Sequence, residues 1–301
     1  MKYLNKFYLD VYYNSDNEGF YPYNVFYDKD LTEIDFSDIT IFYGSNGSGK
    51  STLLNIIIKE LNKEREVIKA SRVKTNEIEM PEYEKYRSVN IDDFVQDCES
   101  ELIDKIPIGS ELISSEDIFN HLLKKRKENK QKELERKRLD DAYWSANSRK
   151  ADAIPISAYR DDMEKYLEIV KLRSAKSSKK LIESRVAKNE KELSNGQTSL
   201  DYYNDKIHEN TLYFFDEPEN SLAPEYQMEL VKLIVEMTRF FKCQFVIATH
   251  SPFILALPEA KIYDLDIYPV KSRNWYELEN MKVYYDFFKS YKDKFENSRE
   301  K

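Results

Sequence analysis

An octapeptide near the start of the chain, Gly44-Ser45-Asn46-Gly47-Ser48-Gly49-Lys50-Ser51, leaves it few folds to choose from. Glycine, four residues, glycine, lysine and serine is the spacing of a loop that wraps its backbone N–H groups around phosphates. Such a loop needs a strand leading in and a helix leading out. Ile39 to Tyr43 is a short β-branched and aromatic run, and Leu53, Leu54, Ile57, Ile58 and Leu61 recur at helical spacing across Ser51 to Leu61. The glycines let the amides converge, the helix presents its positive end, Lys50 neutralises β- and γ-phosphate oxygens, and Ser51 offers a hydroxyl to Mg²⁺. Gly44 to Thr52 is therefore the expected nucleotide-binding segment, with ATP or GTP as its ligand.

The rest of the chain alternates strands with helices. Tyr3 to Tyr13 alternates apolar and polar residues and predicts a strand. Thr211 to Phe215 and Gln244 to Thr249 predict buried strands, and Pro224 to Phe240 a helix with proline in its first turn. The expected fold class is α/β: a mostly parallel central sheet with helices on both faces and an antiparallel flank from the early strands. With 301 residues there is room for one such domain, 1–301, carrying a charged, mainly helical insertion or lid at about 71–192. Within it, Lys124 to Asp141 is almost uninterrupted charge of both signs, which predicts a solvated helix or helical hairpin, with a DNA-contacting arm as the sharper alternative. Asp161 to Glu192 reads as helical, with Met163, Tyr166, Leu167, Val170 and Leu172 as its packing face, and Asn280 to Phe295 as a last aromatic-rich helix.

Composition excludes several classes. A net charge of −8 argues against coating nucleic acid by bulk electrostatics. Two cysteines, Cys98 and Cys243, without neighbours at ligand spacing make neither a disulfide framework nor a zinc site, which fits a reducing cytoplasm. No run approaches the length of a membrane span, so no direct membrane insertion is expected.

Two further segments bear on chemistry. Thr211-Leu212-Tyr213-Phe214-Phe215-Asp216-Glu217 is an apolar strand ending in adjacent acids, at the end of a strand where α/β proteins bind ligands. Asp216 can hold Mg²⁺, while Glu217, turned differently because strand side chains alternate, can polarise the attacking water. Val246-Ile247-Ala248-Thr249-His250-Ser251 brings His250 to another strand's end, within reach of a γ-phosphate; His121 and His208 lie in polar stretches and are expected at the surface.

Leu193-Ser194-Asn195-Gly196-Gln197 resembles the signature sequence of ABC-type ATPases, with Asn195 in place of the first glycine, and its order between the phosphate loop and Asp216 is the family's order. The resemblance implies that Ser194, Asn195, Gly196 and Gln197 contact the γ-phosphate held by an opposite subunit, so the active site is completed by a homodimer or higher homo-oligomer. Asp216-Glu217-Pro218-Glu219-Asn220-Ser221-Leu222-Ala223-Pro224 and Thr249-His250-Ser251-Pro252 look like the soluble, non-transporter branch related to recombination-repair and chromosome-maintenance heads. Phe20-Tyr21-Pro22-Tyr23 and Pro258-Glu259-Ala260-Lys261-Ile262-Tyr263 look like a family of small bacterial predicted ATPases. Ala223 stands where the family's D-loop has aspartate. The Q-loop residue is Gln96 or Glu116, and Tyr21 or Tyr23 is a candidate for stacking on adenine against the plainer alternative of core packing.

The reading that follows is an Mg²⁺-dependent ATPase with Lys50, Glu217 and His250 as catalytic residues, Ser51 and Asp216 as metal ligands, and ATP-driven dimerisation as its output. By resemblance it serves DNA repair or anti-phage defence, with a separate effector such as a nuclease as partner and DNA as a further one. The alternative is the ATP-binding subunit of a membrane transporter, which would use the same catalytic residues.

Overall fold

The computed structural model describes residues 2–9, 21–26, 29–63, 65–70, 91–148, 162–187 and 195–299. They divide into two compact units, Met1–Phe119 with Asn195–Lys301, and Asn120–Ser194. The expected insertion began at about 71, but residues 91–119 belong to the first unit because they supply strands to its sheets.

The first unit is built on a seven-stranded sheet in the order β10-β9-β3-β8-β7-β6-β4. Its strands are β3 (Ile39–Tyr43), β4 (Lys69–Ala70), β6 (Glu111–Ser114), β7 (Leu212–Asp216), β8 (Gln244–Ala248), β9 (Lys261–Asp264) and β10 (Lys271–Arg273). All neighbours run parallel except β10 against β9. Every residue of β3 and β8 is buried, which is why both read as continuous apolar runs: helices cover the two faces. On one face Phe42, Phe214, Val246 and Ala248 join Leu53, Leu54 and Ile56 to Ile58 of the helix Lys50–Leu61. On the other, Tyr213, Phe215 and Phe245 cluster with ring centroids 5.5 to 6.1 Å apart, and Tyr203 of the helix Asn195–Lys206 packs 5.4 Å from Phe215. The helix Pro224–Phe240 buries Leu230, Ile234 and Met237, spaced at four and three.

A second, antiparallel sheet of order β2-β1-β5 joins β1 (Leu4–Leu9), β2 (Glu33–Asp35) and β5 (Cys98–Leu102). One buried side chain ties it to the parallel sheet. Gln244 accepts hydrogen bonds at Oε1 from Tyr3 N (2.8 Å) and Leu4 N (2.9 Å), and its Nε2 donates to Leu4 O (2.9 Å) and Ser37 O (3.0 Å). Replacing it by Leu leaves four backbone groups without that partner. We expect Gln244→Leu to cost about 3 kcal/mol of stability, read as a lowered midpoint in urea unfolding.

The second unit is helical. A single helix, Ser115–Ser148, carries the whole charged run and continues into this unit from the end of β6, so there is no hairpin within it. The predicted helix over Asp161 to Glu192 is two among the described residues, Met163–Ser174 and Ser178–Arg185, separated where Ser177 caps the second through Lys180 N. Of its expected packing face only Leu172 is buried; Met163, Leu167 and Val170 are exposed. Tyr166 is half-buried, so the stripe is covered only in part. In the first unit, the expected helix from Asn280 to Phe295 is likewise two, Glu279–Ser290 and Lys292–Arg299, broken at Tyr291.

Candidate active site

Strand register brings the site together. Phe42 pairs with Ala248, Ala248 with Asp216, and Asp216 with Ser114, so β3, β8, β7 and β6 end level with one another. Whatever follows each of these four strands emerges at one edge of the sheet, the edge where parallel sheets place their ligands.

After β3 the chain turns through Gly44 to Gly49 into the helix Lys50–Leu61. Gly47 and Gly49 have φ of 84° and 97°, a region closed to most side chains, and a Cβ on Gly49 would stand 2.5 Å from Val25 Cγ1. Lys50 is 4% exposed and donates from Nζ to Gly44 O (2.8 Å) and Ser45 O (3.1 Å). The loop is thus curled around the ammonium group. Ser51 Oγ donates to Asp216 Oδ1 at 2.8 Å. A hydroxyl and a carboxylate oxygen side by side at a phosphate loop are hard ligands of the kind Mg²⁺ takes when phosphates and water complete its shell, so this pair fits the ion. Among the described residues no group of three or more His, Cys, Asp or Glu side chains forms a metal cluster elsewhere.

Glu217 is not a continuation of strand alternation, as the sequence had implied. It leaves β7 in the left-handed region, φ 50° and ψ 55°, with Pro218 next, and its N–H is held by Ala248 O at 2.9 Å. A non-glycine residue there costs about 1–2 kcal/mol, a strain typical of functional positions. The turn directs the carboxylate inward: Oε1 lies 3.8 Å from Lys50 Nζ and 4.0 Å from His250 Nδ1, and Oε2 accepts from Asn220 Nδ2 at 2.8 Å. Beneath the turn, Tyr203 donates its hydroxyl to Pro218 O at 3.3 Å, and burial pushes that hydroxyl's pKa well above the usual phenol value.

Lys50, Ser51, Asp216, Glu217 and His250, expected together from sequence, are brought together. The remaining expected residues are placed as follows. Leu193 and Ser194 lie outside the described residues. Asn195, Gly196 and Gln197 form the first turn of the helix Asn195–Lys206, with Asn195 and Gln197 exposed. A Cβ on Gly196 would meet the Tyr226 ring at 2.5 Å, so glycine is demanded by close packing. Gln96 ends the helix Ile91–Gln96, exposed and next to the antiparallel sheet, whereas Glu116 is the second residue after Ser114, which pairs with Asp216. Thr52 Oγ1 accepts from Tyr21 OH at 2.9 Å, while Tyr23 is buried edge-on against Phe94 at 4.8 Å and is therefore a core residue. Phe20 lies outside the described residues. Ala223 is exposed just before the helix Pro224–Phe240. His208 is exposed and His121 half-buried.

Two acids at the site escaped sequence reasoning. Asp266, just beyond β9, accepts from Ser45 N through both oxygens (2.9 and 2.8 Å) and from Ser45 Oγ (2.9 Å), bracing the mouth of the phosphate loop. Nearby, Lys29 donates to Leu265 O, and burial lowers the pKa of its ammonium group. Glu219 is buried between the turn after β7 and His250, 3.4 Å from His250 Nδ1. Only its place in the run after Asp216 hinted at it; nothing local marks Asp266, 221 residues from its partner.

A parallel sheet, a phosphate loop after β3 and a carboxylate pair at the end of β7, two strands away, define a P-loop ATPase. The family described as ABC transporter matches residues 32–220, more than half of the chain, and the chain belongs to that family. The family described as AAA ATPase domain matches residues 197–255. It is an ABC-type enzyme that hydrolyses ATP. No curated protein matches it in sequence. Solved structures to which the chain is similar include an Smc head domain with an extended coiled coil, bound to the C-terminal domain of ScpA, from Pyrococcus furiosus; it is 13% identical over 95% of this chain and 100% of that one, with a TM-score of 0.39. Stu0660 of Streptococcus thermophilus is 12% identical over 86% of this chain and 74% of that one, with a TM-score of 0.38. Among the described residues no helix is long and apolar enough to cross a membrane.

Proposed function

We propose that two copies of the chain close over two ATP molecules and reopen on hydrolysis, and that this motion drives a partner in a DNA-repair or anti-phage defence complex. The observation that carries the catalytic half of this reading is the chain of contacts Ser51–Asp216, Lys50–Glu217 and Glu217–His250, none longer than 4.0 Å. In it the loop amides and Lys50 hold the β- and γ-phosphates. Ser51 and Asp216 would hold Mg²⁺, which when bound would offset negative charge on the β- and γ-phosphates. Glu217 takes a proton from the attacking water as its oxygen bonds the γ-phosphorus and the bridging oxygen leaves with ADP. His250 donates to the γ-phosphate, and Glu116, rather than Gln96, is the Q-loop residue because it follows the strand paired with β7.

The dimeric half of the reading is supported by the first turn of the helix Asn195–Lys206, where Asn195 and Gln197 are exposed and the positive end of the helix suits an anion presented from outside. Ser194, Asn195, Gly196 and Gln197 then act in trans. The partner is a separate effector, such as a nuclease, with DNA as its substrate or as a ligand of the complex, and the setting is the cytoplasm. The second reading, an ATP-binding subunit of a transporter, has the family's description in its favour; co-purification with an integral membrane protein would establish it.

The test is steady-state ATP hydrolysis against protein concentration, with and without double-stranded DNA. Specific activity should rise with concentration, and DNA should stimulate it. Ser194→Arg should abolish the rise while leaving ATP binding by the monomer nearly unchanged. Activity per molecule that is independent of concentration would sink the sandwich, and a large loss of monomer affinity in Ser194→Arg would show that the signature acts in cis.

A further inference from the structure

Glu219 is a closed-in carboxylate with an oxygen to spare. Its side chain is 6% exposed, and Oε1 accepts from Thr249 Oγ1 at 2.7 Å and from His250 N at 2.9 Å. Thr249 Oγ1 in turn accepts from Ser251 N at 3.0 Å, and Ser251 Oγ donates to Gln227 Oε1 at 2.6 Å. The backbone of the turn after β8 is thereby fixed to the turn after β7. Glu219 Oε2 has no hydrogen-bond partner, nor has His250 Nδ1, although both atoms are buried and Nδ1 stands 3.4 Å from Oε1. Two unsatisfied buried polar atoms on side chains that approach to 3.4 Å, one an acceptor and the other able to carry a hydrogen, call for an explanation, since buried polar groups are nearly always paired.

We propose that Glu219 is a positioning residue for His250. A small rotation of the ring lets Nδ1–H donate to Glu219, which pins the imidazole by one edge and leaves Nε2–H for the γ-phosphate. The doubly protonated ring then bridges two anions, and the hydrogen bond at Nδ1 sets how the other nitrogen is presented. Glu217 cannot fill this role, because its Oε2 is already bonded to Asn220 and its Oε1 faces Lys50. The inference rests on the reading that His250 meets the γ-phosphate.

Glu219→Gln tests it. Glutamine keeps one oxygen for Thr249 Oγ1 and His250 N but puts a donor in place of Oε2, the spare acceptor that Nδ1–H would take. We expect kcat to fall roughly 10–100-fold, the usual loss when an orienting partner of a histidine is removed, with KM for ATP and Tm close to wild type. In a double-mutant cycle with His250→Ala, the second substitution should cost nothing further. Glu219→Asp, which keeps both acceptor oxygens on a shorter stem, should recover part of kcat, and it enters the same cycle if glutamine does not fold. If His250→Ala lowers kcat but Glu219→Gln does not, Glu219 merely braces the turn and this inference falls alone. Additive losses would mean that it acts through another group, which also overturns it. If His250→Ala itself leaves kcat unchanged, the reading of His250 fails and takes this one with it.

Discussion

Replacing Glu217 by Gln is expected to reduce ATP turnover by about 10²–10⁴-fold, the range that a positioned general base contributes, while ATP remains bound. The substitution keeps the side chain's shape and an oxygen for Asn220 Nδ2, so the left-handed turn at Glu217 has no reason to open. What it removes is the carboxylate that faces Lys50 and His250 and would take the proton of the attacking water. If two copies close over ATP, the variant should also accumulate as a dimer on a sizing column when ATP and Mg²⁺ are saturating, because closure no longer ends in hydrolysis. A Glu217→Gln protein that turned over ATP at the wild-type rate would remove Glu217 from the chemistry. One that stayed monomeric would leave the chemistry intact and remove the sandwich.

Lys50→Ala should act one step earlier, on nucleotide binding itself. The ammonium group is buried and held by Gly44 O and Ser45 O inside the loop, so a triphosphate entering the loop meets a positive charge already in place. Truncating one partner of a buried charge pair costs about 2–5 kcal/mol, which predicts a loss of ATP affinity of roughly 30- to 5,000-fold, read by fluorescent-nucleotide titration. Unlike Glu217→Gln, this variant should form no ATP-dependent dimer. Unchanged affinity with lost turnover would instead make Lys50 a group that acts only in the transition state.

The features legible in the chain alone are those whose chemistry is local. The phosphate loop is eight consecutive residues whose glycines, lysine and serine must stand at fixed spacing to curl backbone amides around phosphates, and it is found between β3 and the helix Lys50–Leu61 as expected. Likewise β7 and β8 are continuous apolar runs because both faces of a parallel sheet are covered, and the helix Pro224–Phe240 carries its own proline start and its own buried stripe. Short strands carry no such mark. Glu111-Leu112-Ile113-Ser114 becomes β6 by pairing with β7, and Lys69-Ala70 becomes β4 by pairing with β6.

The finer parts of the site belong to folding. Glu217 points inward because its backbone turns left-handed at the end of β7, where alternation along a strand would have sent it elsewhere. Gln244 joins two sheets, Asp266 braces Ser45 and Glu219 lies against His250 through contacts 31 to 241 residues apart in sequence. A hydrogen bond depends on atoms meeting at about 3 Å, and for partners so distant along the chain that meeting is set by strand order and register, which come into being only when the sheet closes.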